Sequence, residues 1–322
     1  NHINNIQHYK NYKFDISNDK ISPIDDIFWY KKSFSKNHMY KVEIFSKVEQ
    51  KNTQFDSYSE LLGKNGFLSP IFSLSMITDD FLTGYYLSKV FIFDRKEPIV
   101  YNYGCGNKQL ISGMICENSK YLGKLKWFIS DIKKINNKKY IKGTNISGDI
   151  NDNNVIRSIH NQLEEKKADK LDLFICDIYP KNIITLFNAF TFVMKDLRDT
   201  GVGVIRIPDP HIWHTHQSTK FMNFLILAIT TFEIVKIFKT PWGKKARFYL
   251  IINTPKVKFT PFHYSTILNY TNDLVNNDIS LFSENYVLDN IDVFYDKILQ
   301  DKLIDFQEKI SNEEANKIWI EN

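Results

Sequence analysis

The stretch from Pro98 to Asn107 constrains the fold of this chain more than any other. Ile99 to Tyr103 is a short β-branched and aromatic run that reads as a buried strand. It runs directly into Gly104, Cys105 and Gly106. Two glycines one residue apart, just after a buried strand, let backbone come close to a ligand, because a side chain at either would fill that space. A helix is expected from about Lys108 to Ile115, with its N-terminal N–H groups directed at the same spot. Strand, tight turn and helix in this order form the first unit of a nucleotide-type crevice. A plain turn also carries Gly-x-Gly, so the weight falls on the strands and helices further along the chain.

From Pro98 onward the pattern alternates regularly. A second strand spans Lys124 to Ser130 and ends at Asp131. A short third strand is expected from Tyr140 to Ile146, followed by Gly148 and Asp149. Val155 to Lys166 reads as a helix, and Leu171 to Cys176 as a strongly apolar strand ending at Asp177. Asn182 to Leu197 reads as an amphipathic helix, with Ile183, Phe187, Phe190, Met194 and Leu197 recurring at steps of four and three. Gly201 to Ile207 is a further strand, stopped by Pro208 and Pro210; Gln217 to Thr231 is a helix. Two last strands, Ile234 to Phe238 and Ala246 to Asn253, are close enough to pair as an antiparallel edge. The expectation is an α/β doubly wound sheet over residues 96–257, covered on both faces.

The flanks are less regular. Residues 1–95 read as an N-terminal extension of mixed α/β character, strand-like over Met39 to Val48 and helical over Thr53 to Leu62. Thr78 to Asp80 can cap a helix over Phe81 to Phe93 that carries Lys89. Residues 258–322 read as a C-terminal helical segment, with Val287, Ile291, Phe294, Ile298, Leu303, Phe306 and Ile310 at roughly helical steps.

Composition narrows the function classes. Of 322 residues 43% are hydrophobic and 15% aromatic, ample for a packed core. A net charge of +5 permits an anionic partner without requiring one. The three cysteines, Cys105, Cys116 and Cys176, have neither metal-ligand nor framework spacing, which fits a reducing compartment. No apolar run reaches the length of a membrane span and no secretory signal opens the chain, so a cytoplasmic protein with no membrane partner is expected. Heavy use of Asn, Lys, Ile, Tyr and Phe suggests an AT-rich coding genome, as in some viruses, plasmids and parasites.

Ligands of open α/β sheets sit beyond the C-terminal strand ends, where three carboxylates fall. Asp131 is placed to accept both hydroxyls of a ribose, Asp149 to accept from an adenine amino group, and Asp177 to face a reacting centre. Each is also an ordinary strand-end turn residue taken alone; the three in register behind Gly-x-Gly favour a nucleoside ligand. A dinucleotide oxidoreductase is disfavoured, because Gln109 stands where the third glycine of Gly-x-Gly-x-x-Gly belongs. His211, His214 and His216 lack a further evident metal ligand, so no metal is expected there. Trp242, Lys244 and Lys245 form a basic-aromatic group suited to RNA backbone or a stacked base; a solvated turn would carry the same residues.

The run from Pro98 to Pro255 resembles the S-adenosylmethionine-dependent methyltransferase fold, and within it the ribose 2′-O-methyltransferases of viral mRNA capping. Tyr103 to Gly106 resembles the first motif, Leu173 to Asp177 the strand-then-Asp motif, and Lys239 to Ile251 the closing segment. The stimulatory subunit of poxvirus capping enzyme is similar at the Asp177 strand, the Arg206 strand and the edge pair, but lacks the glycine motif. The resemblance implies S-adenosylmethionine held by Tyr103, Gly104, Cys105, Gly106, Asp131, Asp149 and Asp177, with the capped 5′ end of mRNA as substrate. It also implies a catalytic capping-enzyme subunit as partner and a host cytoplasm or virion as location. The family's Lys-Asp-Lys-Glu tetrad would fall on Lys89, Asp177, Arg206 and Arg247. Arginine keeps its proton, so Arg206 cannot act as the family's lysine base. That departure leaves 2′-O transfer, guanine N7 transfer and a catalytically degenerate stimulatory role open.

Overall fold

The computed structural model describes residues 95–106, 108–117, 125–143, 148–166, 170–208, 218–239, 247–274 and 281–282, with positions 80, 81, 83, 84, 87, 93 and 279. Six strands form one sheet: β1 (Ile99–Tyr103), β2 (Lys126–Ser130), β3 (Leu171–Cys176), β4 (Leu197–Ile207), β5 (Phe232–Lys239) and β6 (Phe248–Pro255). Their order is β2-β1-β3-β4-β6-β5. The first four are mutually parallel, and β6 runs antiparallel to both β4 and β5. The reversed strand therefore lies one place in from the edge that β5 forms.

Among the described residues these strands are connected or covered by α1 (Gln109–Glu117), α2 (Asn153–Glu165), α3 (Ile184–Lys195), α4 (Ser218–Thr231) and α5 (Pro261–Leu274). Every residue of β1 and β3 is buried, as central parallel strands covered on both faces require. Asp152 caps α2, its side chain accepting the Asn154 N–H at 2.8 Å. Helix α3 departs from the amphipathic expectation: every residue from Ile184 to Met194 is buried. The reason is α5, which packs over the outer side of α3 and removes its solvent face.

The core divides by strand parity. One face holds Tyr101, Tyr103, Phe174, Cys176, Ile205 and Leu250 under α2, α3, α4 and α5. The other holds Val100, Leu173, Ile175, Val204 and Tyr249 with Leu110, Ile111 and Met114 of α1 and Leu87, one of the helical positions 80, 81, 83, 84 and 87. Gly84 lets that upstream helix approach α1 closely, since a Cβ there would stand 1.8 Å from the Leu110 carbonyl oxygen. Of the third strand expected over Tyr140 to Ile146, the described residues form only one parallel bridge, Tyr140 with Ile129. Its polar, lysine-rich approach, Lys133 to Lys139, gives no alternating apolar face to hold a strand against β2.

Candidate functional site

The parallel register places the candidate residues in one row. Tyr103 pairs with Ser130 on one side and Cys176 on the other, and Cys176 pairs with Ile205. One residue further along, Asp131, Gly104, Asp177 and Arg206 stand level on four adjacent strands, and Arg206 pairs directly with Tyr249 of β6. Residues level in a sheet share a face, so this row opens on the side of α1 and the upstream helical positions.

The glycine turn is built by left-handed backbone, which glycine adopts freely, and by close approach. Gly104 has φ +77°, and a Cβ there would stand 2.5 Å from Ile178 Cγ1 and 3.3 Å from the Asp177 carbonyl carbon. Gly106 has φ +45°, with nothing within 4 Å of where its Cβ would be. The turn is fixed from below: the Gly104 and Cys105 N–H groups donate to the Ser130 carbonyl at 2.8 and 3.2 Å. It is fixed from the side by Asp131, whose Oδ2 accepts the Gly106 N–H at 2.7 Å. Helix α1 begins three residues after Gly106.

Tyr103 and Cys105 turn inward. Tyr103 is fully buried, its hydroxyl donating to the Gly148 carbonyl, and burial pushes its pKa up, so it stays neutral. Cys105 is 4% exposed; burial, with Asp131 nearby, pushes its thiol up to about 12, which leaves no thiolate for chemistry. Both support the turn from the core side. Gly148, at φ +51°, lies against the turn: a Cβ there would stand 3.3 Å from the Asp131 carbonyl oxygen. Asp149 thus sits directly after it at the rim, its Oδ1 accepting the Asn151 N–H at 2.9 Å.

Asp177 anchors an ion cluster in the other half of the row. Its side chain is 7% exposed. The Tyr249 hydroxyl donates to Oδ1 at 2.6 Å, Arg247 to Oδ2 at 3.3 Å, and Arg206 stands 3.6 Å from Oδ1. Arg247 also pairs with Asp80, and the Arg206 guanidinium lies 5.4 Å over the Tyr179 ring. Burial pushes the Asp177 carboxyl up, against the pull of Arg247, Arg206 and the Tyr249 hydroxyl. Burial also pushes the Tyr249 hydroxyl well up. Arg247 is held protonated: burial opposes its charge, and the nearby Asp177, Tyr249 and Asp80 overcome that.

Asp177, Arg206 and Arg247 are therefore in one cluster, while Gly104, Gly106, Asp131 and Asp149 gather at the adjoining turn. Lys89, Trp242, Lys244, Lys245, His211, His214 and His216 lie outside the described residues. Among the described residues no group of His, Cys, Asp or Glu could hold a metal ion. Sequence reasoning misses Asp80 and Tyr249. Tyr249 is signalled by its two-residue spacing from Arg247 on a strand, which puts both on one face; Asp80, beyond its place at a helix start, gives no signal.

No protein-family model and no curated protein matches the chain. Solved structures do resemble it. A protein described as a ribosomal RNA methyltransferase of Plasmodium falciparum is 18% identical, covering 56% of this chain and 98% of its own, with a TM-score of 0.41. An O-methyltransferase of Bacillus cereus, solved with SAH, is 12% identical over 66% of this chain and 100% of its own, with a TM-score of 0.34. The fibrillarin/Nop5p complex matches at 16% identity over 54% of this chain and 83% of that chain, with a TM-score of 0.33. The strand order and the one reversed strand are those of the doubly wound α/β sheet expected from the sequence. At such identity and overlap none of these likenesses assigns this chain an activity. Among the described residues no helix is long and apolar enough to cross a membrane.

Proposed function

We propose that the chain is an S-adenosylmethionine-binding methyltransferase-fold protein of an RNA-capping apparatus, whose acceptor is guanine N7 of the cap. The observation that carries the reading is the level row Asp131, Gly104, Asp177, Arg206, with open space beside Gly106. The residues fit the cofactor. A carboxylate offers about four acceptor sites, and Asp131 uses two on the Gly106 and Lys133 N–H groups, which leaves two for a ribose diol. Gly106 leaves room for the amino-acid end of the ligand, and Asp149 stands at the adjoining rim for an adenine amino group. The cofactor would supply the methyl group; the chain supplies position.

The choice of N7 rests on protonation. Ribose 2′-O transfer needs a base to take the hydroxyl proton. Guanidinium groups do not serve as bases, burial pushes the Tyr249 hydroxyl well up, and the Asp177 carboxylate is already taken by Tyr249, Arg247 and Arg206. Guanine N7 is already nucleophilic, so holding donor and acceptor in line suffices. A second reading is a stimulatory subunit with no transfer of its own. It is favoured by the mutual saturation of the cluster, in which Asp177 is held by Tyr249, Arg247 and Arg206, and Asp80 shares Arg247.

Calorimetric titration with SAH, paired with methyl transfer from labelled cofactor to GpppRNA and to N7-methylated capped RNA, tests both readings. Binding that is lost in Asp131→Ala, with transfer to the unmethylated cap alone, is the expected result. Binding without transfer on either RNA selects the stimulatory subunit. Binding that Asp131→Ala leaves unchanged removes the site assignment.

A further inference from the structure

The net charge of this chain is not spread over it. There are 42 basic and 37 acidic residues in all. The segment 126–142 holds six lysines and one acid, Asp131, leaving 36 of each sign elsewhere. The whole excess of +5 therefore sits in 17 consecutive residues. All six lysines, Lys126, Lys133, Lys134, Lys138, Lys139 and Lys142, are exposed.

We propose that this segment is a binding strip for the phosphate backbone of an RNA strand. It leaves β2 at the edge of the sheet and returns along its outer flank, where the described residues form the single bridge of Tyr140 with Ile129. The loop is ordered by the fold. Ile129 N–H donates to the Lys139 carbonyl at 3.1 Å and Ile141 N–H to the Ile129 carbonyl at 2.9 Å. The Tyr140 hydroxyl donates to the Asp131 carbonyl at 3.0 Å. Lys139 lies 4.1 Å over the half-buried Trp127 ring, which restricts one cation in advance. Binding therefore orders the lysine side chains more than the backbone, which lowers the entropy cost.

The chemistry selects a polyphosphate strand. Six cations over one continuous segment match a repeating anion, and each phosphate neutralised releases counterions. The segment has no arginine, the side chain that grips single carboxylates bidentately, so a specific acidic protein surface is the poorer match. Position adds direction. The segment passes through Asp131, and Lys133 donates its backbone N–H to that carboxylate at 3.2 Å, so the strip ends at the rim beside Gly106. The inference rests on the RNA part of the proposed function and not on methyl transfer.

The test is fluorescence anisotropy of a labelled single-stranded RNA of about 20 nucleotides against the full chain, repeated over a salt series. Lys133→Gln, Lys134→Gln, Lys138→Gln and Lys142→Gln combined leave the Lys139–Trp127 pair in place. This variant should lose about tenfold or more in affinity and lower the log–log salt slope by about 3. A control with the same charge change, Lys96→Gln, Lys166→Gln, Lys181→Gln and Lys258→Gln, all exposed positions, should lose far less. SAH calorimetry on both variants separates this proposal from the cofactor reading: retained SAH binding with lost RNA binding supports the strip. Equal losses in the two variants, or an unchanged slope in the first, overturn it. So does competition by polyglutamate as strong as by unlabelled RNA of equal charge, which would make the strip a surface for acidic polypeptides.

Discussion

Strand β3 carries an aspartate at each end, and each is clamped between two arginines. Asp172, near the N-terminal end, is 4% exposed and meets Arg198 at 2.7 Å and Arg95 at 3.4 Å. It also accepts the Ile99 N–H at 2.7 Å, which ties the first residue of β1 to its neighbour strand. Asp177, just past the C-terminal end, is 7% exposed and meets Arg247 and Arg206 at 3.3 and 3.6 Å. Arginines around a buried carboxylate therefore mark nothing but the need to neutralise it. Two things set Asp177 apart. It stands level with the tight Gly104 turn, and it faces a second acid, Asp80, across a shared Arg247. The lower clamp is a tie between strands, whereas the upper one holds a carboxyl whose burial outweighs its cations.

The two ends should separate under mutation. The largest loss is expected for Asp172→Ala, which strips a charged acceptor from the buried Ile99 N–H and leaves two half-buried arginines without their carboxylate. That should cost about 3 kcal/mol, read as a Tm lower by about 6–12 °C, with SAH binding by the folded fraction unchanged. Reduced SAH affinity with full stability would erase the contrast. Gly104→Ala comes next. Its φ of +77° disfavours any side chain, and the added methyl meets Ile178 at 2.5 Å, so about 2–3 kcal/mol and the loss of SAH binding are expected together. Gly106→Ala meets open space and carries only the strain of φ +45°, about 1 kcal/mol in chemical denaturation. Equal costs at the two glycines would mean that the turn is not shaped as described.

Legibility in the sequence tracks how local the cause of each feature is. β1 and β3 are readable to the residue, because each is a mostly apolar run, interrupted once by Asn102 or Asp172 and ended by Gly104 or Asp177. β4 begins at Leu197, earlier than expected, because Arg198, Asp199 and Thr200 hide a strand that pairs through a register shift. Helix α5 falls inside the segment read as helical, but its bounds are hidden, because Thr266, Asn269, Thr271 and Asn272 interrupt the apolar positions that pack on α3. At the candidate site, Asp131, Asp177, Arg206 and Arg247 are brought to one edge by strand ends and strand parity, whereas Asp149 follows no described strand and is placed by Gly148 against the turn. Asp80 is not legible, since its partner Arg247 lies 167 residues away and only the tertiary approach of the upstream helical positions at Gly84 joins them. The lysine strip is equally hard to see, because its cations are scattered singly and in pairs through a stretch that reads as turn.

The smallest effect expected is the sharpest probe of the upper clamp. Asp177→Asn keeps the shape and an acceptor for the Tyr249 hydroxyl, and Arg247 keeps Asp80. The change should shift stability at neutral pH by less than about 1 kcal/mol, well below Asp172→Ala. Its signature lies in pH. The Asp177 carboxyl is raised in the folded state by burial, so the native protein binds this proton more readily than the unfolded chain does. Stability from this group is full below the unfolded value, near 3.8, and is lost as pH rises through the folded value. On acidification from neutral pH toward that range, the parent protein should therefore gain stability relative to Asp177→Asn. Urea titrations of both proteins between about pH 7 and about pH 4 read this difference directly. A gap that moves the other way would show that the arginines dominate over burial, and that the two ends of β3 are the same kind of clamp after all.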